Sequence, residues 1–358
     1  MTTWARGLAT TIKKYVKGET EQLLRNRKLF AMINDRGRVM YNLSGTSINW
    51  KVRYRHAPLS GFDYGDTLSF AAVNRWKEAE LPWRGVAATD VITESERLQN
   101  RGQEAIVNVV DGMVKRLMED CTEQAGDMFY YDGNATGHAK DWHGIESFMS
   151  ASGAASGGYV GVNDDNYAGL STALAAYGGS WTGNWPTGTG DAHYDFWTPT
   201  IVDYTDTAWS AATKTWPNTC IEALRYGIIK GQKNKSRKGQ MDVIILNDEL
   251  LRQFKDKLQT EEQLNVSQNG PSGLYRLGFT DTINFDGVDI TKEYGVPDGV
   301  GYGWCMDNVE LMSLQDDIFV SKEPDFDMES QATRFAIVNY GNLKFEGVRG
   351  FAKWENIT

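Results

Sequence analysis

Histidine, cysteine and proline are scarce in this 358-residue chain, at 4, 3 and 8 residues. The three cysteines, Cys121, Cys220 and Cys305, are odd in number and far apart. That excludes a disulfide framework and a CxxC metal site, and a reducing cytoplasm is the simplest origin. The four histidines (His56, His138, His143, His193) stand in turn or hairpin contexts and assemble no catalytic triad. No Walker loop, HExxH, GxSxG or GxGxxG after a strand is present. No apolar run approaches the ~18 residues of a membrane span, and the first residues, MTTWARGLATTIKKYVKG, lack the apolar core of a signal peptide. Positive charge is also short: the net charge is −10 and the pI about 5.1. Such a surface disfavours wrapping onto nucleic acid, because the phosphate backbone rewards Lys and Arg. These absences point away from an enzyme, a cofactor or a membrane protein.

What is present is apolar surface and large flat side chains. Apolar residues make up 41% and charged residues 23%, with 12 Trp and 37 Gly, the balance of a globular chain of one large or two to three smaller domains. The central feature is residues 89–132. Thr93 followed by Glu96 spells a capping box, and no proline interrupts the helical pattern to about Ala125. Apolar residues recur at Ala105/Ile106, Val109/Val110, Met113/Val114, Leu117/Met118 and Cys121, one stripe on one face. At 1.5 Å per residue the spacing predicts a helix roughly 45–50 Å long. A spine with one apolar side needs a partner along it. The lack of a sustained a/d heptad argues for its own chain's sheet rather than a second helix.

Before the spine, residues 19–34 read as a short amphipathic helix with Leu23, Leu24, Phe30, Ala31 and Ile33 as apolar positions, preceded by Lys13, Lys14 and Lys17. Residues 46–85 read as a long hairpin. Ile48, Trp50, Val52 and Tyr54 alternate with polar residues, APLSGFDYGD turns the chain, and Leu68, Phe70 and Ala72 begin a return strand that runs through Trp76 and Leu81. A two-stranded ribbon alone is marginal in water. It therefore folds onto its own domain or lies on a neighbour, and the sequence leaves both open.

After the spine, His138, Asp141 and His143 lie within six residues and suggest a metal, but a fourth ligand and regular spacing are missing, which favours a polar loop. Residues 167–177 read as a short helix. Trp181, Trp185, Trp197, Trp209 and Trp216, interleaved with carboxylates, suit either a sugar cleft or loops pinned by Trp anchors. From Asn218 the pattern turns α/β. TCIEALRYGIIKGQ reads as a helix, MDVIIL as a buried strand, and ELLRQFKDKLQ as a helix capped by Asn247 or Asp248. Asp286-Gly287 signals a hairpin, and RFAIVNY and LKFEGVRGFAKW read as strands joined by a turn at Gly341-Asn342.

An arm, a long ribbon, a spine helix, an α/β region and closing strands, in that order, resemble the major capsid proteins of tailed bacteriophages, the Hong Kong 97-like fold. The phrases LRNRKLFAMI, WKVRYRHAPLSGF, DTLSF with RWKEAELPWRG, YYDGN and FDGVDITKEYGVP also look like one branch of that family. The resemblance implies an α+β chain divided into an N-terminal arm (1–45), an extended loop (46–85) and a peripheral domain holding the spine (86–149). An axial domain (150–320, with a Trp/Gly-rich insertion near 178–217) and C-terminal strands returning to the peripheral domain (321–358) complete it. It implies hexamers and pentamers closing an icosahedral shell around double-stranded DNA that is contacted only weakly. The expected partners are copies of the chain itself, a separate scaffolding protein, a portal and decoration proteins. No scaffolding segment fused ahead of the arm is expected. A cargo-enclosing bacterial nanocompartment would share the fold. The expected contact residues are Trp50, Val52, Tyr54, Leu68, Phe70 and Trp76 on the ribbon and Leu24 and Phe30 on the arm. If these are buried only between subunits, Trp50→Ser and Phe70→Ser would spare folding and impair assembly.

Overall fold

A computed structural model describes residues 27–53, 61–68, 70, 74, 76–99, 103–150, 165–172, 179–180, 190–191, 197, 199–205, 209, 214–231, 240–261, 281–322 and 325–357. The chain opens with helix α1 (Lys28–Asp35) and strands β1 (Val39–Met40), β2 (Ser47–Arg53), β3 (Trp76–Pro82) and β4 (Arg84–Thr93). Helices α2 (Glu94–Gln99) and α3 (Gln103–Met128) follow, then short strands β5 (Asn166–Tyr167), β6 (Leu170–Ser171), β7 (Gly179–Ser180) and β8 (Gly190–Asp191). Next come β9 (Thr200–Asp203), α4 (Trp216–Gly231), β10 (Val243–Leu246) and α5 (Asp248–Glu261). The last strands are β11 (Ile283–Phe285), β12 (Val288–Lys292), β13 (Gly301–Trp304), β14 (Val309–Ser313), β15 (Val320–Ser321), β16 (Asp325–Asp327), β17 (Ala332–Phe345) and β18 (Ala352–Glu355). The class is mixed α+β. Among the described residues no helix is long and apolar enough to cross a membrane.

The first sheet is built on β17. β14, β15 and β16 pair antiparallel along one of its edges, β1 adds parallel to β14, and β4 lies antiparallel along the other edge from Ala332–Thr93 to Gly341–Arg84. The spine helix α3 lies on this sheet. Val114, Leu117, Met118, Cys121 and Ala125 are buried against Val86, Ala88, Ile92, Phe335 and Ile337. From Met113 to Cys121 the stripe read from the sequence thus faces the chain's own sheet, and each large apolar side chain buried there contributes about 2 kcal/mol. The capping box forms as expected, with Thr93 N–H donating to Glu96 Oε2 at 3.1 Å and Glu96 N–H to Thr93 Oγ1 at 3.4 Å. The side chains of Ala105 to Val110, and the join between α2 and α3, lie outside what is described.

The second sheet runs β11-β12-β10-β13-β18-β9. Helices α4 and α5 pack against it and against each other, burying Trp216, Leu224, Phe254, Ile244, Ile290 and Trp354. Gly227 in α4 is where the Trp354 ring passes, leaving no room for a Cβ, and Trp354 Nε1–H donates to Ala223 O at 2.9 Å. Asn247 caps α5, its Oδ1 accepting from Glu249 N–H at 3.0 Å. Asp286 and Gly287, both at positive φ, turn the β11–β12 hairpin as the sequence predicts. Between the sheets, Phe129, Phe148, Trp304, Phe345 and Phe351 form an aromatic core with centroids 5.1–6.3 Å apart.

Four expectations are corrected and one element is added. Helix α1 is not part of a projecting arm: Leu29, Phe30, Met32 and Ile33 lie in the central core, so the body begins by Arg27. The chain crosses between sheets more often than the boundaries imply. β14, expected in the axial domain, pairs with β17, while the C-terminal β18 pairs with β13 and β9 of the second sheet. Gly341-Asn342 is no turn, because β17 runs straight through it. Gly341 is required there by the close approach of Met312 O and Asn339, not by positive φ. Residues 166–171 form the β5–β6 hairpin through Ala168 and Gly169 at positive φ, where a helix starting at Tyr167 was expected. Burial of the Tyr167 ring overrides the local helical pattern. Finally, β4 is a ten-residue strand not read from the sequence.

Candidate functional site

The ribbon joins β2 to β3 antiparallel, from Ser47–Pro82 to Arg53–Trp76. One face of its root, made of Ile48, Trp50, Val52, Ala79 and Leu81, is buried in the chain's own core. The other face, with Lys51 opposite Glu78 and Asn49 opposite Glu80, is exposed. Alternation along the strands produces this division. The root is fixed at several points. The Trp50 ring sits 6.3 Å from Tyr167, and Lys344 Nζ lies 5.4 Å over it. Glu80 N–H donates to Ala168 O at 3.0 Å, Asn342 Nδ2–H to Pro82 O at 2.9 Å, and Trp83 Nε1–H to Gly45 O at 3.1 Å.

The described residues of the turn, 61–68, 70 and 74, are exposed. The turn closes with Gly65 at φ +99°, Asp66 N–H donating to Asp63 O at 3.0 Å and Asp63 N–H to Asp66 Oδ2 at 2.8 Å. Around it Phe62, Tyr64, Leu68 and Phe70 are exposed, Phe70 at 91%, and Trp76 at 44% marks the start of the return strand. A cluster of large apolar side chains in water is a mark of a contact surface.

The expected contact residues therefore separate. Leu68, Phe70 and Trp76 are exposed and available to a partner. Trp50 and Val52, each 8% exposed, and Phe30, at 2%, are buried in their own chain, which corrects their assignment to an interface. Tyr54 and Leu24 lie outside the described residues. Phe62 and Tyr64 were passed over because the turn segment reads as Gly and Pro punctuation; their spacing in FDY carries no periodic signal.

Under the root lies a groove of about 480 Å³ lined by Glu80, Leu81, Pro82, Arg84, Asn134, His143, Asp165, Asn166, Ala168 and Gly169. Its two basic groups are already committed. Arg84 donates to Gly133 O at 2.9 Å and His138 O at 3.4 Å and also bonds Asp141 O, and burial pushes its guanidinium down. Burial, then the nearby Arg84 charge, pushes His143 down to about 3, so its ring is neutral at Ser147. His138 instead pairs with Asp141 at 2.8 Å. The described tryptophans Trp197, Trp209 and Trp216 are buried. Trp209 Nε1–H donates to Asp203 O at 2.7 Å and Trp216 Nε1–H to Leu250 O at 2.8 Å. These side chains anchor loops and present no open face to a sugar; Trp181 and Trp185 lie outside the described residues.

No family model and no curated protein matches the sequence. Among solved structures the chain is similar to the capsid of a native GTA particle, at 10% identity over 91% of each chain with a TM-score of 0.54. It is also similar to the capsid of cyanophage A-1(L), at 14% identity over 90% of each chain with a TM-score of 0.53. The mature capsid of bacteriophage PhiM1 matches 90% of this chain and 87% of its own at 10% identity and a TM-score of 0.50. At these identities the likeness is one of fold, and it spans almost the whole chain: this is the mixed α+β fold that phage capsid subunits use.

Proposed function

We propose that the chain is a major capsid protein with the Hong Kong 97-like fold. It assembles as hexamers and pentamers into an icosahedral shell around double-stranded DNA and performs no catalysis. In this reading the first sheet with the spine is the peripheral domain and the second sheet with α4 and α5 the axial domain. The ribbon is the extended loop. The observation that carries the reading is the ribbon: a root locked into the chain's own core holds out a tip whose aromatic side chains are exposed, on a fold used by capsid subunits. Covering such side chains on a neighbouring copy is worth roughly 2–3 kcal/mol each, and repeated around a ring it closes an assembly.

The virion is the site of action and the host cytoplasm the site of assembly. A scaffolding protein, a portal and decoration proteins are the further partners. The net charge of −10 suits a wall that does not hold the packaged genome fast. Expression with any scaffold required is expected to give closed shells or hexamer and pentamer rings by negative-stain microscopy. A stable monomer under all such conditions overturns the reading. Nuclease-protected DNA in particles recovered from the phage host distinguishes a genome shell from a nanocompartment, whose content is protein cargo.

A further inference from the structure

The junction between α1, the end of the spine and the second sheet is built from ionisable groups around one buried carboxyl, that of Glu293. Glu293, directly after β12, accepts a hydrogen bond from Tyr130 Oη–H at 3.1 Å, just beyond the spine's last turn. Its other oxygen accepts from the backbone N–H of Leu29, in the first turn of α1, at 3.4 Å. One carboxyl thus holds three parts of the chain together. The residues beside it fasten the same joint. Arg27 donates to Tyr294 O at 2.7 Å, to Glu123 O at 2.8 Å and to Asp127 at 3.3 Å, with Gly126 leaving room for its guanidinium. Lys28 Nζ reaches Asp281 at 2.6 Å and Thr291 Oγ1 at 2.8 Å. The groups acting directly on Glu293 are Arg27 at the N-cap of α1, Lys28 in its first turn and Tyr130 at the exit of the spine. Behind them, Asp127 pairs with Arg27, Asp281 and Lys292 act on Lys28, and the Tyr302 ring lies 5.6 Å from Tyr130.

We infer that Glu293 is a pH-sensitive latch that seats α1 on the spine and the second sheet, tightening below neutral pH and loosening above it. Burial is the main cause that pushes its carboxyl up, to about 7, against the opposing pull of Leu29 N–H, Arg27, Tyr130 and Lys28. When α1 lifts away, the carboxyl meets water and returns toward the ordinary value of 4.5. A group whose pKa is raised in the closed state favours that state most at low pH, and the advantage is lost as pH rises through 7. Between pH 6 and 8 the closed-to-open ratio falls by about tenfold on these two values.

The test is hydrogen exchange of the full-length chain, read as protection factors of residues 29–35 at pH 6 and pH 8 so that the intrinsic pH dependence of exchange is removed. In the wild type, protection is expected to fall about tenfold. In Glu293→Gln, which keeps the shape and cannot ionise, it is expected to be flat. Tyr130→Phe, which removes a bond to the ionised form, is expected to make the fall steeper than in the wild type. Equal wild-type protection at both pH values, or the same fall in Glu293→Gln, overturns the latch. Should Glu293→Gln fail to fold, a Tyr130→Phe fall no steeper than the wild type's overturns it.

Discussion

The root and the tip of the ribbon belong to one stretch of sequence, residues 46–85, and meet opposite fates. At the root, Trp50 is 8% exposed, packed beside Tyr167 and under Lys344; at the tip, Phe70 is 91% exposed. Both are aromatic residues in alternating strand patterns. The difference lies in what stands beneath them. The β5–β6 hairpin and the inner face of β17 supply a surface for the root, while the described side chains of the tip are exposed. An aromatic side chain in a ribbon is therefore a fold determinant at one end and an exposed surface group at the other.

Four variants separate the two ends, taken from the largest expected effect. Trp50→Ser is expected to destabilise the unassembled subunit by about 3–5 kcal/mol, the cost of a large buried cavity, measured by urea denaturation. If its stability is unchanged, the root does not pack on its own chain. Tyr167→Phe is expected to cost about 1–3 kcal/mol. Tyr167 Oη accepts from Phe345 N–H at 3.0 Å, and the change leaves that buried donor without it. Lys344→Met is expected to cost about 1 kcal/mol in the same assay. It removes the cation over Trp50 and one partner of buried Glu310, whose other partner, Arg38 at 2.6 Å, remains. The double variant Tyr64→Ser, Phe70→Ser is expected to change subunit stability by less than about 0.5 kcal/mol and yet to abolish or sharply reduce shell yield in sedimentation. Normal shells from that variant would remove the tip from the interface.

Short-range chemistry was legible from the residues. The capping box at Thr93 and Glu96, the Asp286-Gly287 turn and the apolar stripe of α3 each depend on neighbours within a few positions. Long-range pairing was not. β4 reads RGVAATDVIT, small residues with weak alternation, and becomes a strand because β17 offers it a continuous ladder. Gly341 carries the signature of a turn and instead admits a carbonyl from β14. Helix α1 shows an amphipathic pattern equally suited to an arm clasping a neighbour, and only the packing puts Phe30 inside its own core. At the candidate site, the alternation of Ile48, Trp50 and Val52 correctly marked one apolar face. Which surface that face meets is not encoded in its period.

By itself the sequence determined the mixture of helices and strands, the amphipathic stripe of the spine and the alternating apolar face of the ribbon, because each follows from local patterning. The tertiary structure alone decided which ribbon aromatics are buried and which are exposed, that α1 belongs to the body, and that Glu293 joins three distant segments in one buried contact. Burial depends on residues far away in sequence, and no period of two or 3.6 reports them.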